Sequence, residues 1–200
     1  MSLSVLNPRT DWRGRYQNEL TSQIHSSGYK PITTCSPRNF ELAKHYGAEA
    51  VFDYHSPKCG AEIKAYTRGG VGYVIDTITD GRSQAICHSA LGRAGGLYAA
   101  LESPSEAFNT RPRTVKVEFV VGLCSLGREV AISDDYYRPA DPRLRQRASQ
   151  LFDEMQPFVE KGRLEPHPHR VIGHGYENVL KGIDMLEGGV SGERLVVLIK

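Results

Sequence analysis

Ser36, Arg38 and Asn39, in the run Ser-Pro-Arg-Asn, and Tyr54 beyond the next apolar stretch carry the clearest chemistry in this sequence. A hydroxyl, a guanidinium and the positive end of a helix together suit a phosphate ester, because helix amides donate to anions and Arg forms two charge-assisted hydrogen bonds. A dinucleotide fold that selects NAD usually ends its second strand in Asp or Glu to hold the ribose hydroxyls. Here that position offers Ser36, Pro37, Arg38 and Asn39 instead, so the corner reads as a seat for a ribose 2′-phosphate and the cofactor as NADPH. Taken alone, the same four residues also make an ordinary Ser-Pro helix start with a solvated Arg, and the wider context has to decide.

The elements that must position this corner are legible on either side. Ile32, Thr33 and Thr34 are β-branched and favour a strand ending near Cys35. Ser36 can cap the following helix, Pro37 fits its first position, and Phe40, Ala43 and Tyr46 recur on one face until Gly47 ends it. Ala50, Val51 and Phe52 form the next strand. The short connections of this βαβ unit imply parallel strands with a right-handed crossover, whose ligand lies at the strands' carboxyl ends.

The rhythm continues. A helix is expected over Cys59 to Thr67, a strand over Gly72 to Asp76, a helix from Asp80 or Gly81 to Leu91, and strands over Leu97 to Leu101 and Val115 to Val121. Arg128 to Pro142 reads as a loop. Arg143 to Lys161 reads as a long amphipathic helix that Pro157 bends or stops. A short strand near Ile172, a helix over Tyr176 to Leu186 and a closing strand over Leu195 to Ile199 complete the chain.

Met1 to Ser27 differs from all of this. It is polar, has Gly14 as its one glycine, and reads as lacking both a first strand and a Gly-rich phosphate turn, with a helix over Gln17 to His25. The fold class is therefore α/β, an incomplete doubly wound parallel sheet of Rossmann type.

The totals exclude several classes. With 200 residues, 40% hydrophobic and 24% charged, the chain can bury one sizeable core, and a formal net charge of +2 gives no general attraction to nucleic acid or anionic membrane. No apolar segment is long enough to span a bilayer and no signal-peptide core opens the sequence, so a cytoplasmic location is expected. Cys35, Cys59, Cys87 and Cys124 are scattered, which argues against structural zinc and against a disulfide scaffold.

Other chemistry-bearing residues invite plainer readings. Asp76, at a strand end, is expected to cap the next turn. Cys87-His88 is expected to be one buried thiol beside one surface imidazole. His167 and His169 flank Pro168 with no carboxylate or thiol in the motif, so they read as a structural connection and no metal is expected.

From Gly28 to Lys200 the sequence resembles the carboxyl-terminal part of the zinc-independent medium-chain dehydrogenase/reductases, and among them the fungal trans-acting enoyl reductases of polyketide synthases. The residues that carry the resemblance are SGYKPITTCSPRNFELAKHYGAEAVFDY, GYVIDTI, GGLYAALE, GLCSLG and GGVSGERLVVLI. The resemblance implies an NADP-binding Rossmann-like domain over 28–164, after an atypical polar segment 1–27, and over 165–200 a remnant of the catalytic domain that returns to it. It implies hydride transfer from NADPH to an α,β-unsaturated acyl thioester, carrier-bound or small, with a polyketide synthase as partner. It assigns Ser36, Pro37, Arg38, Asn39 and Tyr54 to the adenosine end of the cofactor, Leu101 and Glu102 to the nicotinamide side, and Ser191 and Gly192 to closure over the cofactor. Gly122, Leu123, Cys124, Ser125 and Leu126 would line the acyl channel. No residue matches a catalytic proton donor.

Overall fold

A computed structural model describes the backbone of residues 2–6, then Thr21, Gln23 and His25, and residues 28–199. Six parallel strands form the main sheet: β1 (Ser2–Leu6), β2 (Lys30–Cys35), β3 (Ala50–Asp53), β4 (Tyr73–Asp76), β5 (Gly96–Ala100) and β6 (Val115–Phe119). Their spatial order is β3-β2-β1-β4-β5-β6. This is the doubly wound arrangement, in which the direction of winding reverses between β1 and β4 and leaves a crevice at the carboxyl edge.

One expectation is corrected here. The sequence reading left no strand ahead of Lys30, yet Ser2–Leu6 lies at the centre of the sheet, with Ser4 opposite Ile32 on one side and Val74 on the other. Two neighbours supply its pairing, a long-range effect that a five-residue run cannot announce. The expected lack of a Gly-rich turn falls on residues outside those described. The expected helix over Gln17 to His25 falls there in part, and Thr21, Gln23 and His25 are helical.

Helices cover both faces, and the alternation along the strands shows which face each takes. Ala50 and Phe52 pack with Ile32, Cys59, Ile63 and Cys87 on the face covered by α2 (Cys59–Tyr66) and α3 (Gly81–Ala90). Val51 and Cys35 turn the other way, toward Ala43 of α1 (Phe40–His45) and Ala48. Residues Pro31 to Cys35 of β2 are accordingly all buried, as parallel strands sandwiched between helices should be. Between β5 and β6 only a 3-10 turn (Glu106–Phe108) stands in place of a crossover helix. A cavity of about 540 Å³ remains beside it, lined in part by His88, Tyr98, Val117 and Phe119.

Beyond β6 the chain makes a 3-10 turn (Gly122–Leu126), a second one (Asp134–Tyr136) inside the stretch expected to be loop, and helix α4 (Pro142–Glu160). Asp141 caps α4 by accepting from the Arg143 amide. Pro157 does not stop it early: the helix reaches Glu160, because a proline in the final turn costs one hydrogen bond close to where the ladder ends anyway. Strands β7 (His169–His174) and β8 (Arg194–Leu198) pair in parallel around helix α5 (Glu177–Glu187). Among the described residues no helix is long and apolar enough to cross a membrane.

Candidate functional site at the carboxyl edge of the sheet

The corner after β2 is built by competition for one hydroxyl. Ser36 precedes a 3-10 turn (Pro37–Asn39) with Pro37 at its start. The expected side-chain cap is absent: the Ser36 hydroxyl donates instead to Tyr54 Oη at 3.4 Å, across to the residue that follows β3. The Ser36 carbonyl takes over the turn by accepting from the Asn39 amide at 2.9 Å. Both Ser36 and Tyr54 are buried, and the Tyr54 ring lies against that of His55 with centroids 4.0 Å apart. Pro37 and Arg38 are exposed.

Asp53 and Cys35 are paired in register at the ends of β3 and β2. Hydrogen bonds from His55, the backbone amide first, hold the Asp53 carboxyl below its ordinary range, which keeps the acid turned toward His55. Burial, and then the Asp53 charge, push the Cys35 thiol up to about 12. The strand end that carries a carboxylate in NAD-selecting folds thus presents a neutral thiol and the Ser36 hydroxyl.

The returning segment reaches this corner. Asn39 Nδ2 donates to Ser191 Oγ at 3.1 Å across 152 residues of sequence. Gly192, at φ +76°, sits so close that a Cβ there would lie 3.2 Å from Asn39 Oδ1 and 3.5 Å from Leu42 Cδ2. Two further ties hold the same segment to the end of α1 and the residue after it: His45 Nε2 with Glu165 at 2.8 Å, and the Tyr46 hydroxyl donating to the Pro166 carbonyl at 2.6 Å. Ser36, Asn39, Tyr54, Ser191 and Gly192, singled out from widely separated stretches, therefore form one cluster.

Leu101 and Glu102 form a second cluster at the end of β5, on the far side of the switch point. Three strand spacings separate β2 from β5, roughly 14 Å. The Leu101 amide donates to the Asp76 carbonyl at 3.0 Å. Glu102 accepts a hydrogen bond from the Tyr136 hydroxyl, and Ser103 donates to Asp135 at 3.0 Å. The Tyr136 ring meets Phe119 edge-on, and the Arg138 guanidinium lies 5.2 Å over the same Phe119 ring. A bridge between Val130 and Arg138 closes this excursion into a strap lying over the ends of β5 and β6. Sequence reading missed it. The one local signal was Tyr136-Tyr137-Arg138, aromatic and cationic in a stretch otherwise read as loop.

Gly122 to Leu126 follows β6 at the same edge, packed on the first turns of α4, with Leu123 and Leu126 exposed. Gly127, at φ +69°, ends the turn where a side chain would meet Arg145 and Pro142.

Asp76 caps its turn, accepting from the amides of Ile78 and Thr79 at 3.0 and 2.9 Å. Its other oxygen accepts from Ser83 Oγ at 2.8 Å and Tyr98 Oη at 2.9 Å, with Cys87 Sγ at 3.5 Å. Burial pushes its carboxyl up, against the hydrogen bonds that favour the carboxylate. Committed to these partners beneath the crevice, it is a structural node. Cys87 is fully buried as expected, whereas His88 is half-buried against Tyr98, with ring centroids 5.0 Å apart. Burial, and then the Arg111 charge, lower its pKa. Among the described residues no three His, Cys, Asp or Glu side chains gather closely enough to hold a metal ion.

No family model matches the chain. It is 48% identical over 177 residues to the trans-enoyl reductase poxP of Penicillium oxalicum, covering 88% of this chain and 47% of that protein. It is 50% identical over 173 residues to the trans-enoyl reductase ccsC of Aspergillus clavatus, covering 86% and 47%. The chain thus spans about half the length of the curated relatives it matches. Among solved structures, the JamJ enoyl reductase aligns with a TM-score of 0.72 at 16% identity, over 100% of this chain and 55% of that one. The CurK enoyl reductase aligns at 0.73 and 14%, again over 100% and 55%. At such identities these two establish the fold, and the expected likeness to trans-enoyl reductases is found in the fungal sequences.

Proposed function

We propose, from a kinship with trans-enoyl reductases that runs through most of this chain, that it carries the NADPH-binding part of such an enzyme. The reaction would be reduction of an α,β-unsaturated acyl thioester, carrier-bound or small, in concert with a polyketide synthase. One observation supports this best. The buried Ser36 to Tyr54 hydrogen bond, the exposed Arg38 and the Asn39 to Ser191 tie converge at the end of β2, opposite Leu101 and Glu102 across the switch point.

The residues fit a 2′-phosphorylated dinucleotide. Arg38 is exposed, so its guanidinium can turn to an added phosphate, and no carboxylate ends β2 to repel one. His55, backed by the buried Tyr54 ring, offers an exposed ring face beside it. Ser191 and Gly192 close the corner from above and limit water there. NADPH, when bound, supplies hydride to the β-carbon of the unsaturated thioester. Leu101 and Glu102, held by Tyr136, would border the nicotinamide, and Gly122 to Leu126 would guide the acyl chain along the next strand end. A cytoplasmic setting, where thiols such as the buried Cys35, Cys59 and Cys87 stay reduced, goes with this reading.

A second reading, an accessory chain without turnover that binds nucleotide or a synthase surface, is favoured by one feature: Gly14 is the only glycine before Gly28, where a pyrophosphate turn needs several. Titrating the chain with NADPH and NADH, followed by cofactor fluorescence, tests both. The proposed reading expects saturable binding that prefers NADPH by about tenfold or more, from a charge-assisted bond of about 1.5–3 kcal/mol, with the preference lost in Arg38→Ala. Binding that yields no turnover of an enoyl thioester even when the unmatched portion of a trans-enoyl reductase is supplied selects the accessory reading. No saturable binding of either nucleotide refutes the cofactor assignment.

A further inference from the structure

Pro104 and Pro112 bracket the connection from β5 to β6 and leave little room for a full crossover helix, so a single 3-10 turn (Glu106–Phe108) forms instead. The sheet face that such a helix would cover stays open beside the turn. Tyr98 and Val117 are paired in register and Phe119 follows two residues along β6, so the three side chains share that face. Gln84 and His88, four apart on α3, lie over them. Between the two layers is the cavity of about 540 Å³. Two turns of helix, about 10–12 Å across and about 11 Å long, would occupy roughly 850–1,200 Å³. The space is too small for a polypeptide element and falls within the range of about 300–1,000 Å³ usual for small-molecule pockets.

The lining defines what would fill it. Tyr98, Pro104, Val117 and Phe119 make the walls mainly apolar. Two of the polar side chains are already committed. Gln84 donates to the Thr79 carbonyl and accepts from the Ser105 amide, while Asn109 donates to the Val115 carbonyl and accepts from the Arg111 amide. His88 is not committed in this way. Its ring lies against Tyr98, but among the described residues its nitrogens have no hydrogen-bond partner. Burial and the Arg111 charge disfavour the imidazolium, which leaves one ring nitrogen as an acceptor. Glu106, exposed at the rim, also only accepts. No Lys or Arg is among the described residues of the lining, so an anion finds no partner there. A flat, uncharged molecule with a hydroxyl to donate answers each of these features.

We propose that this cavity is a binding site for a small uncharged phenol, its ring against Phe119 and Val117 and its hydroxyl donating to His88. The cavity shares no residue with the corner after β2, with Leu101 and Glu102, or with Gly122 to Leu126. The inference therefore stands apart from the cofactor assignment.

The test titrates the chain at pH 7 with 2-naphthol, following heat by calorimetry and the His88 and Phe119 ring signals by nuclear magnetic resonance. Saturable one-to-one binding that shifts both signals is expected. Naphthalene, which lacks the hydroxyl, should bind about two- to tenfold more weakly, and 2-naphthoate, an anion beside Glu106, about tenfold or more weakly. His88→Phe keeps a ring against Tyr98 and removes the acceptor, so it should bring 2-naphthol down to the affinity of naphthalene. The parent's own spectra decide the matter should that variant fail to fold. Absence of saturable 2-naphthol binding overturns the proposal. So does naphthalene or 2-naphthoate binding as tightly as 2-naphthol, or a shift at His55 in place of His88.

Discussion

Gly192→Ala is the sharpest probe of the corner after β2. The residue is held at φ +76°, a left-handed conformation that costs an L side chain about 1–2 kcal/mol. Its new Cβ would stand 3.2 Å from Asn39 Oδ1, tight enough to displace the amide that donates to Ser191 at 3.1 Å. Losing that hydrogen bond adds about 0.5–1.5 kcal/mol. Together these give about 1.5–3.5 kcal/mol against docking of the returning segment, roughly a ten- to several-hundredfold shift toward its open state. Amide hydrogen exchange is the assay, since it resolves local opening from global unfolding. The segment 165–199 should lose protection by that factor while β2 and β4 keep theirs, and NADPH should bind more weakly. A uniform loss across β4 as well, or no change at Gly192, would refute the reasoning that this contact closes one local unit. A double-mutant cycle of Asn39→Ala and Ser191→Ala should give a coupling of about 0.5–1.5 kcal/mol.

Tyr98→Phe removes a buried donor 2.9 Å from Asp76 and should cost about 1.5–3 kcal/mol by urea denaturation; a loss under about 0.5 kcal/mol would mean that Ser83 and Cys87 satisfy the carboxylate unaided. Acid should loosen two local features. Asp53 and Asp141 are held below the ordinary Asp value of 3.8, chiefly by hydrogen bonds from His55 and Arg143 respectively. Their folded states bind fewer protons than the unfolded chain, so their stabilisation is present above that value and lost as pH falls below it. Exchange of the His55 and Arg143 amides should accelerate on acidification through this window, and a flat profile would contradict the assignment.

The alternation of β-branched runs, Ser-Pro helix starts and Gly-ended helices from Lys30 to Leu101 made the doubly wound half legible, because each of those signals is local. The strand at Ser2–Leu6 was not, since its place depends on pairing with Ile32 and Val74. Ser36 was assigned the right neighbourhood and the wrong bond: sequence proximity favours a cap, but Tyr54, 18 residues away, competes for the hydroxyl. The strap over β5 and β6 was illegible for a similar reason, as Tyr136 finds Glu102 across 34 residues. The placement of Ser191 and Gly192 came from family likeness, which encodes a long-range contact that residue-by-residue physics does not reach.

The bond between Asn39 and Ser191 also sets an order of assembly. A ribosome adds roughly 5–20 residues per second, so Asn39 leaves it about 8–30 s before Ser191, the two being 152 positions apart. The parallel strands can pair during that interval. The contact that Ser191 makes with the corner after β2 can form only after that interval, so the strands come together before the corner is closed.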